Sequence, residues 1–90
     1  MEARQRVTIV NKRGLHARAS AKFVAAAAAM DGTEIIVSKG GNSAQGSSIL
    51  GLMMLGAARG DEVEIAATGT DAESRLAELV TMVEAGFGEE

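Results

Sequence analysis

The chain has 90 residues, a formal charge of −3 and an apolar fraction of 47%, enough for one small domain with one core. It holds no cysteine and a single histidine, which excludes a disulfide framework, a cysteine-based zinc site and a structural transition-metal site. Its two aromatic residues, Phe23 and Phe87, leave an aliphatic core with little room for an organic cofactor, and no apolar run suggests a membrane span or secretory leader, so the cytoplasm is the expected compartment.

Arg6-Val7-Thr8-Ile9-Val10 alternates and is rich in β-branched residues, which predicts the first strand. Asn11 to Leu15 reads as a loop, with Gly14 giving a free backbone position. A helix is predicted from about Ala17 to Met30. Phe23, Ala27 and Met30 recur on one face, and Arg18, Lys22, Ala25 and Ala29 fall on another. The run Ala25 to Ala29 has high helix propensity and little volume, which suggests close approach to the sheet. Asp31-Gly32 ends this helix.

Glu34 to Ser38 is the second predicted strand, and Lys39-Gly40-Gly41-Asn42 is a hairpin turn. The third strand, Ser43 to Gln45, is short and weakly apolar, as befits a sheet edge. A short helix follows from Ser48 to about Leu55, then a turn from Gly56 to Gly60. Asp61 to Ala67 alternates acidic with apolar residues, the mark of a strand with one face in water. Thr70-Asp71-Ala72-Glu73 matches a capping box and opens the last helix. Leu76, Leu79, Val80 and Val83 give that helix its apolar stripe, and Gly86 terminates it. The order is βαββαβα in a single domain, residues 1–90, with an antiparallel sheet covered by helices on one side. Periodicity alone also allows a ferredoxin-like arrangement of the first six elements.

Charge is unevenly spread. Arg4, Arg6, Lys12, Arg13, Arg18 and Lys22 face only Glu2 within residues 1–22, whereas the remainder is strongly acidic. A basic end attracts acidic or phosphorylated partners. The acidic total and the lack of stacking aromatics argue against nucleic acid.

His16 lies in that basic end, at the start of the first helix. A helix N-terminus leaves backbone N–H groups unpaired and carries partial positive charge, so an anion on or beside His16 is stabilised there. Neutral imidazole is a competent nucleophile, and the guanidinium of Arg18 suits phosphate. No second histidine or evident carboxylate pair completes a catalytic set, so His16 reads as a phosphate acceptor whose donor is another protein's active site. Either Ser47 or Ser48 can cap the short helix, and a phosphoserine would also be favoured at that end. The stretch Ile49 to Leu55 is too apolar for one half-covered helix. Taken alone its residues favour core over an exposed docking patch. The glycine-rich stretch Gly40 to Gly46 lacks the Gly-Lys-Ser/Thr ending of a nucleotide loop.

Two segments carry a resemblance. Asn11-Lys12-Arg13-Gly14-Leu15-His16-Ala17-Arg18-Ala19-Ser20-Ala21-Lys22-Phe23-Val24 and Ser48-Ile49-Leu50-Gly51-Leu52-Met53-Met54-Leu55-Gly56-Ala57-Ala58-Arg59-Gly60 resemble the HPr family. These are the histidine-containing phosphocarriers of the bacterial phosphoenolpyruvate-dependent phosphotransferase system. The resemblance covers nearly the whole chain. It implies an α+β, HPr-like open-faced β-sandwich: a four-stranded antiparallel sheet, order 1-4-2-3, with three helices on one side. It implies that His16 takes a phosphoryl group on Nδ1 from phosphorylated enzyme I and passes it to IIA proteins. Arg18 and Ala17 would stabilise the phosphate. Ser48 would be the serine that HPr kinase/phosphorylase modifies in some bacteria. Ile49, Leu50 and Met53 would form the docking surface, which reverses their assignment to the core. The protein would be a monomeric carrier, not an enzyme, with no cofactor, no metal and no membrane insertion.

One residue departs from the family pattern: Ala19 stands where proline usually follows the arginine. The Asn11-Lys12-Arg13-Gly14 segment and the tail look like the nitrogen-related regulatory branch rather than the sugar-uptake branch, and the choice stays open with a lean to regulation. The rival from another class is a non-catalytic interaction module docking through the short helix, with His16 as a cap. A hydrolase using His16 as base lacks a nucleophile–base–orienter set.

Overall fold

A computed structural model of the chain describes residues 1–89. In chain order it contains β1 (Glu2–Thr8), α1 (Ala17–Ala28), β2 (Thr33–Lys39), β3 (Asn42–Gln45), α2 (Ile49–Met54), β4 (Glu62–Gly69) and α3 (Ala72–Glu84). A short 3₁₀ turn, Gly86–Gly88, follows α3. The four strands form one antiparallel sheet in the order β1-β4-β2-β3. This is the open-faced arrangement with three helices that the resemblance implies. It settles the choice that periodicity left open.

Alternation decides which side of the sheet is covered. Val7, Ile35, Val37, Ala44, Val63, Ile65 and Ala67 turn inward and are buried. On the opposite face, Arg4 bonds its β1 neighbour Glu2 and, across the strands, Glu64, and Arg6 bonds Glu62 across the same pair of strands. From α3, Leu76, Leu79, Val80 and Val83 close the core, as their spacing predicts. Each such side chain, once fully buried, contributes about 1.5–3 kcal/mol of burial free energy.

Three readings of the sequence need correction. First, β1 begins at Glu2 and ends at Thr8, so the predicted strand was set too late. Glu2 to Gln5 are polar apart from Ala3 but pair with the interior strand, opposite Ile65 to Thr68. Ile9 leaves the regular strand yet remains in the core, its N–H bonded to Asp61 O and its carbonyl to Gly60 N. Second, the capping box does not form. Asp71 is the N-cap, in the left-handed region at φ 51, with no side-chain cap. Thr70 is engaged instead with the neighbouring turn: its N–H donates to Gly32 O and its carbonyl accepts from Thr33 Oγ1. Third, the alanine run does not press on the sheet. Only Ala27 of that run is buried, while Ala25, Ala28 and Ala29 are exposed. The helix lying on β1 and β4 is α3, and α1 packs chiefly against α2. The alanines supply helix propensity on a solvated face.

Candidate functional site

The loop from Ile9 to Leu15 delivers His16 to the start of α1. Gly14 adopts φ +63, and a Cβ there would lie 2.3 Å from Ala57 O. No L side chain fits that approach, so glycine is required on two counts. The next amide, Leu15 N, donates to Ala57 O at 3.0 Å. The loop before His16 is thereby tied to the segment just after α2.

His16 is the N-cap of α1, with extended backbone (φ −75, ψ 179) and no side-chain capping bond. Its carbonyl accepts the first intrahelical bond, from Ser20 N at 2.9 Å. The amides of Ala17, Arg18 and Ala19 come before any intrahelical acceptor, as in the first turn of any α-helix. Ser20 is fully buried, and its hydroxyl donates to Leu15 O at 3.2 Å, bracing the turn from below. Ala17 and Arg18 are exposed, and the Arg18 guanidinium has no hydrogen bond or ion pair among the described residues. It is free to swing toward an anion at the helix end.

The imidazole is largely enclosed. Nε2 of His16 lies 2.8 Å from Glu89 Oε2, and both side chains are only 17% exposed. The other carboxylate oxygen, Oε1, accepts from Asn11 Nδ2 at 3.1 Å, and the same amide nitrogen donates to Gly14 O at 2.8 Å. Asn11 is itself buried. Burial would raise the Glu89 carboxyl; the bonds from Asn11 and His16 and the charges of His16 and Lys22 outweigh it and hold the group below its ordinary value. Lys22 Nζ donates to Phe87 O at 2.8 Å, and the Phe87 ring is buried. Asn11, Lys22, Phe87 and Glu89 thus join the site although sequence reasoning gave none of them a role there. Only one local signal hinted at this: an aromatic residue between two glycines near an acidic tail is more than a solvated end requires.

The short helix beside the site divides cleanly. Leu52 and Leu55 are core, whereas Ile49, Leu50, Met53 and Met54 are exposed, Met54 by 76%. Sequence reasoning named the first three exposed residues and missed Met54, the most open of them on this helix. Ser48 is the cap of α2, its Oγ accepting from Gly51 N at 2.9 Å. Ser47 is exposed and bonds only Gln45. The charge asymmetry along the chain is partly cancelled in space. Arg4 and Arg6 are neutralised on the open face of the sheet, while Lys12, Arg13 and Arg18 remain exposed and Lys22 braces the tail. Among the described residues no helix is long and apolar enough to cross a membrane, and no group of three or more His, Cys, Asp or Glu could hold a metal.

The site thus consists of a lone histidine at a helix start, with one ring nitrogen held and an exposed apolar helix at its side. Residues 3–85 match the family model described as the PTS HPr component phosphorylation site. The chain belongs to the HPr family, the phosphocarriers of the phosphotransferase system. It is 41% identical over 86 residues to the phosphocarrier protein HPr of Neisseria meningitidis, covering 96% of both chains. It is 33% identical to the phosphocarrier protein NPr of Escherichia coli over the full length of both. The crystal structure of HPr from Thermoanaerobacter tengcongensis superposes with a TM-score of 0.91 at 39% identity, covering 98% of both chains. By family the protein is a phosphocarrier and not a catalytic enzyme.

Proposed function

We propose that His16 accepts a phosphoryl group on Nδ1 from phosphorylated enzyme I and passes it to IIA proteins. The observation that carries this is the ring's two-sided environment: Nε2 is engaged by Glu89, while Nδ1 has no hydrogen-bond partner among the described residues. The first-turn amides from Ala17 onward and the guanidinium of Arg18 supply positive charge for the incoming phosphate. Ile49, Leu50 and Met53, with Met54, form the surface on which partners dock. The domain, residues 1–90, works as a monomer in the cytoplasm, and its chemistry uses no cofactor.

Ser48 is the regulatory position, open to HPr kinase/phosphorylase in hosts that have it. Its hydroxyl sits at the helix cap, where added negative charge is tolerated by folding. Between the sugar-uptake and nitrogen-related branches the reading stays open with a lean to regulation: the NPr alignment runs through all 90 residues, while an HPr matches at the higher identity of 41%. The test is incubation with a cognate enzyme I and phosphoenolpyruvate. An acid-labile, base-stable phosphate on His16 is expected, followed by transfer to IIA proteins of the regulatory branch. No label on a folded sample rejects the carrier and leaves the interaction module. Transfer only to sugar-specific IIA proteins rejects the branch.

A further inference from the structure

Glu89 makes more contacts than a surface acid near the end of a chain needs. Oε2 meets His16 Nε2 at 2.8 Å, and Oε1 accepts from the buried Asn11 at 3.1 Å. The segment bearing it is fastened on its other side. Phe87 is buried in the left-handed region at φ 57, and its carbonyl is held by Lys22 Nζ at 2.8 Å. A residue other than glycine adopts that backbone only when its surroundings enforce it. The carboxylate is therefore delivered to one chosen edge of the imidazole.

We infer that Glu89 is a positioning residue for His16: it accepts the Nε2 hydrogen bond, fixes the ring with its free lone pair on Nδ1, and offsets the positive charge that phosphorylation brings to the ring. The inference deepens the carrier reading and rests on it. In neutral imidazole one nitrogen carries the proton and the other the lone pair, and the partner of the first decides which is which. A carboxylate can only accept, so its partner nitrogen must be the protonated one.

The transfer step then balances simply. The Nδ1 lone pair forms a bond to phosphorus as the donor's bond to phosphorus breaks, that electron pair leaving with the donor. The Nε2 proton stays on the ring, which becomes an imidazolium bearing the phosphoryl group on its other nitrogen. The hydrogen bond to Glu89 becomes charge-assisted and stronger at that moment. Repulsion between the carboxylate and the phosphoryl oxygens opposes this, but the two occupy different edges of the ring. The contact to Nε2 is made through a hydrogen atom, whereas the phosphoryl group sits at the second nitrogen. The bonded term should win.

Ring ¹⁵N and ¹H spectra of the unphosphorylated protein, taken at a pH where the imidazole is neutral, read the contact without any phosphate. Wild type should show one tautomer with a persistent, exchange-protected Nε2 proton. In Glu89→Ala that proton signal should vanish into exchange with water and the nitrogen shifts should move toward a mixed tautomer. In Glu89→Gln, whose amide oxygen still accepts, the signal should persist. Single-turnover transfer from phosphorylated enzyme I should then fall about tenfold in Glu89→Ala and by less in Glu89→Gln. An unchanged Nε2 signal in Glu89→Ala overturns the contact. Faster transfer in Glu89→Ala shows the carboxylate to be an obstruction, and equal rates show it to be idle; either overturns the positioning role. Failure of wild type itself to take phosphate overturns the carrier reading instead.

Discussion

Two regions of this small protein are built from the same kind of pair, an acid beside a base, and use it to opposite ends. On the open face of the sheet, Arg6 meets Glu62 at 3.4 Å with side chains 73% and 54% exposed. At the helix start, His16 meets Glu89 at 2.8 Å, each only 17% exposed. The first pair is screened by water and held by two regular strands whose geometry does not depend on it. The second is enclosed and depends on an irregular loop, a buried asparagine and an anchored tail. Burial and backbone irregularity, not residue type, separate a solvated ornament from a controlled group.

The sharpest way to break the comparison is His16→Ala. It should abolish acceptance of the phosphoryl group, since the chain has no second histidine, while the fold survives. The stability cost should be about 1 kcal/mol, ordinary for a partly buried substitution. Histidine-type phosphorylation retained in the variant, read by acid-lability of the label, removes His16 from the mechanism.

Gly14→Ala is expected next in size. The added Cβ collides with Ala57 O and the residue must hold a positive φ. A loss of more than about 2 kcal/mol is expected, with a thermal midpoint lowered by about 10 °C or more. Gly40→Ala is the control: its φ is also positive, at +59, but nothing lies within 4 Å of the new methyl. If the two variants melt together, the close approach at Ala57 contributes nothing.

A smaller effect should come from Ser48→Asp. Its carboxylate can replace the hydroxyl as acceptor for Gly51 N, so the midpoint should stay near wild type or rise slightly. Transfer to His16 should slow, most at low salt, because a partner docking on Ile49, Leu50 and Met53 must desolvate or face the new charge. A transfer rate indifferent to the substitution across salt concentrations would leave Ser48 as a cap alone.

Arg6→Ala should do least. An exposed pair of this kind contributes about 0.2–1 kcal/mol or nothing measurable, and transfer rates should not move. A slowed transfer would mean that the open face takes part in the encounter.

The same division explains what could be read from the chain before its structure. Alternation over Asp61 to Ala67 and the stripe of Leu76, Leu79, Val80 and Val83 are local patterns, and they became β4 and the buried face of α3. Glu2 to Gln5 lacked such a pattern because half of what makes them a strand is the partner opposite. The capping motif at Thr70 was locally sound but lost to contacts with Gly32 and Thr33, distant in sequence. His16 itself was legible from its position at a helix start. Its companion Glu89 was not, since 73 residues separate them and no periodicity spans that gap.

The tie between Leu15 N and Ala57 O has a consequence for recognition. It ties the loop that carries the imidazole to the segment that follows the exposed apolar face of α2. Under the proposed function, a partner that seats itself against Met54 would in the same motion be placed relative to the imidazole.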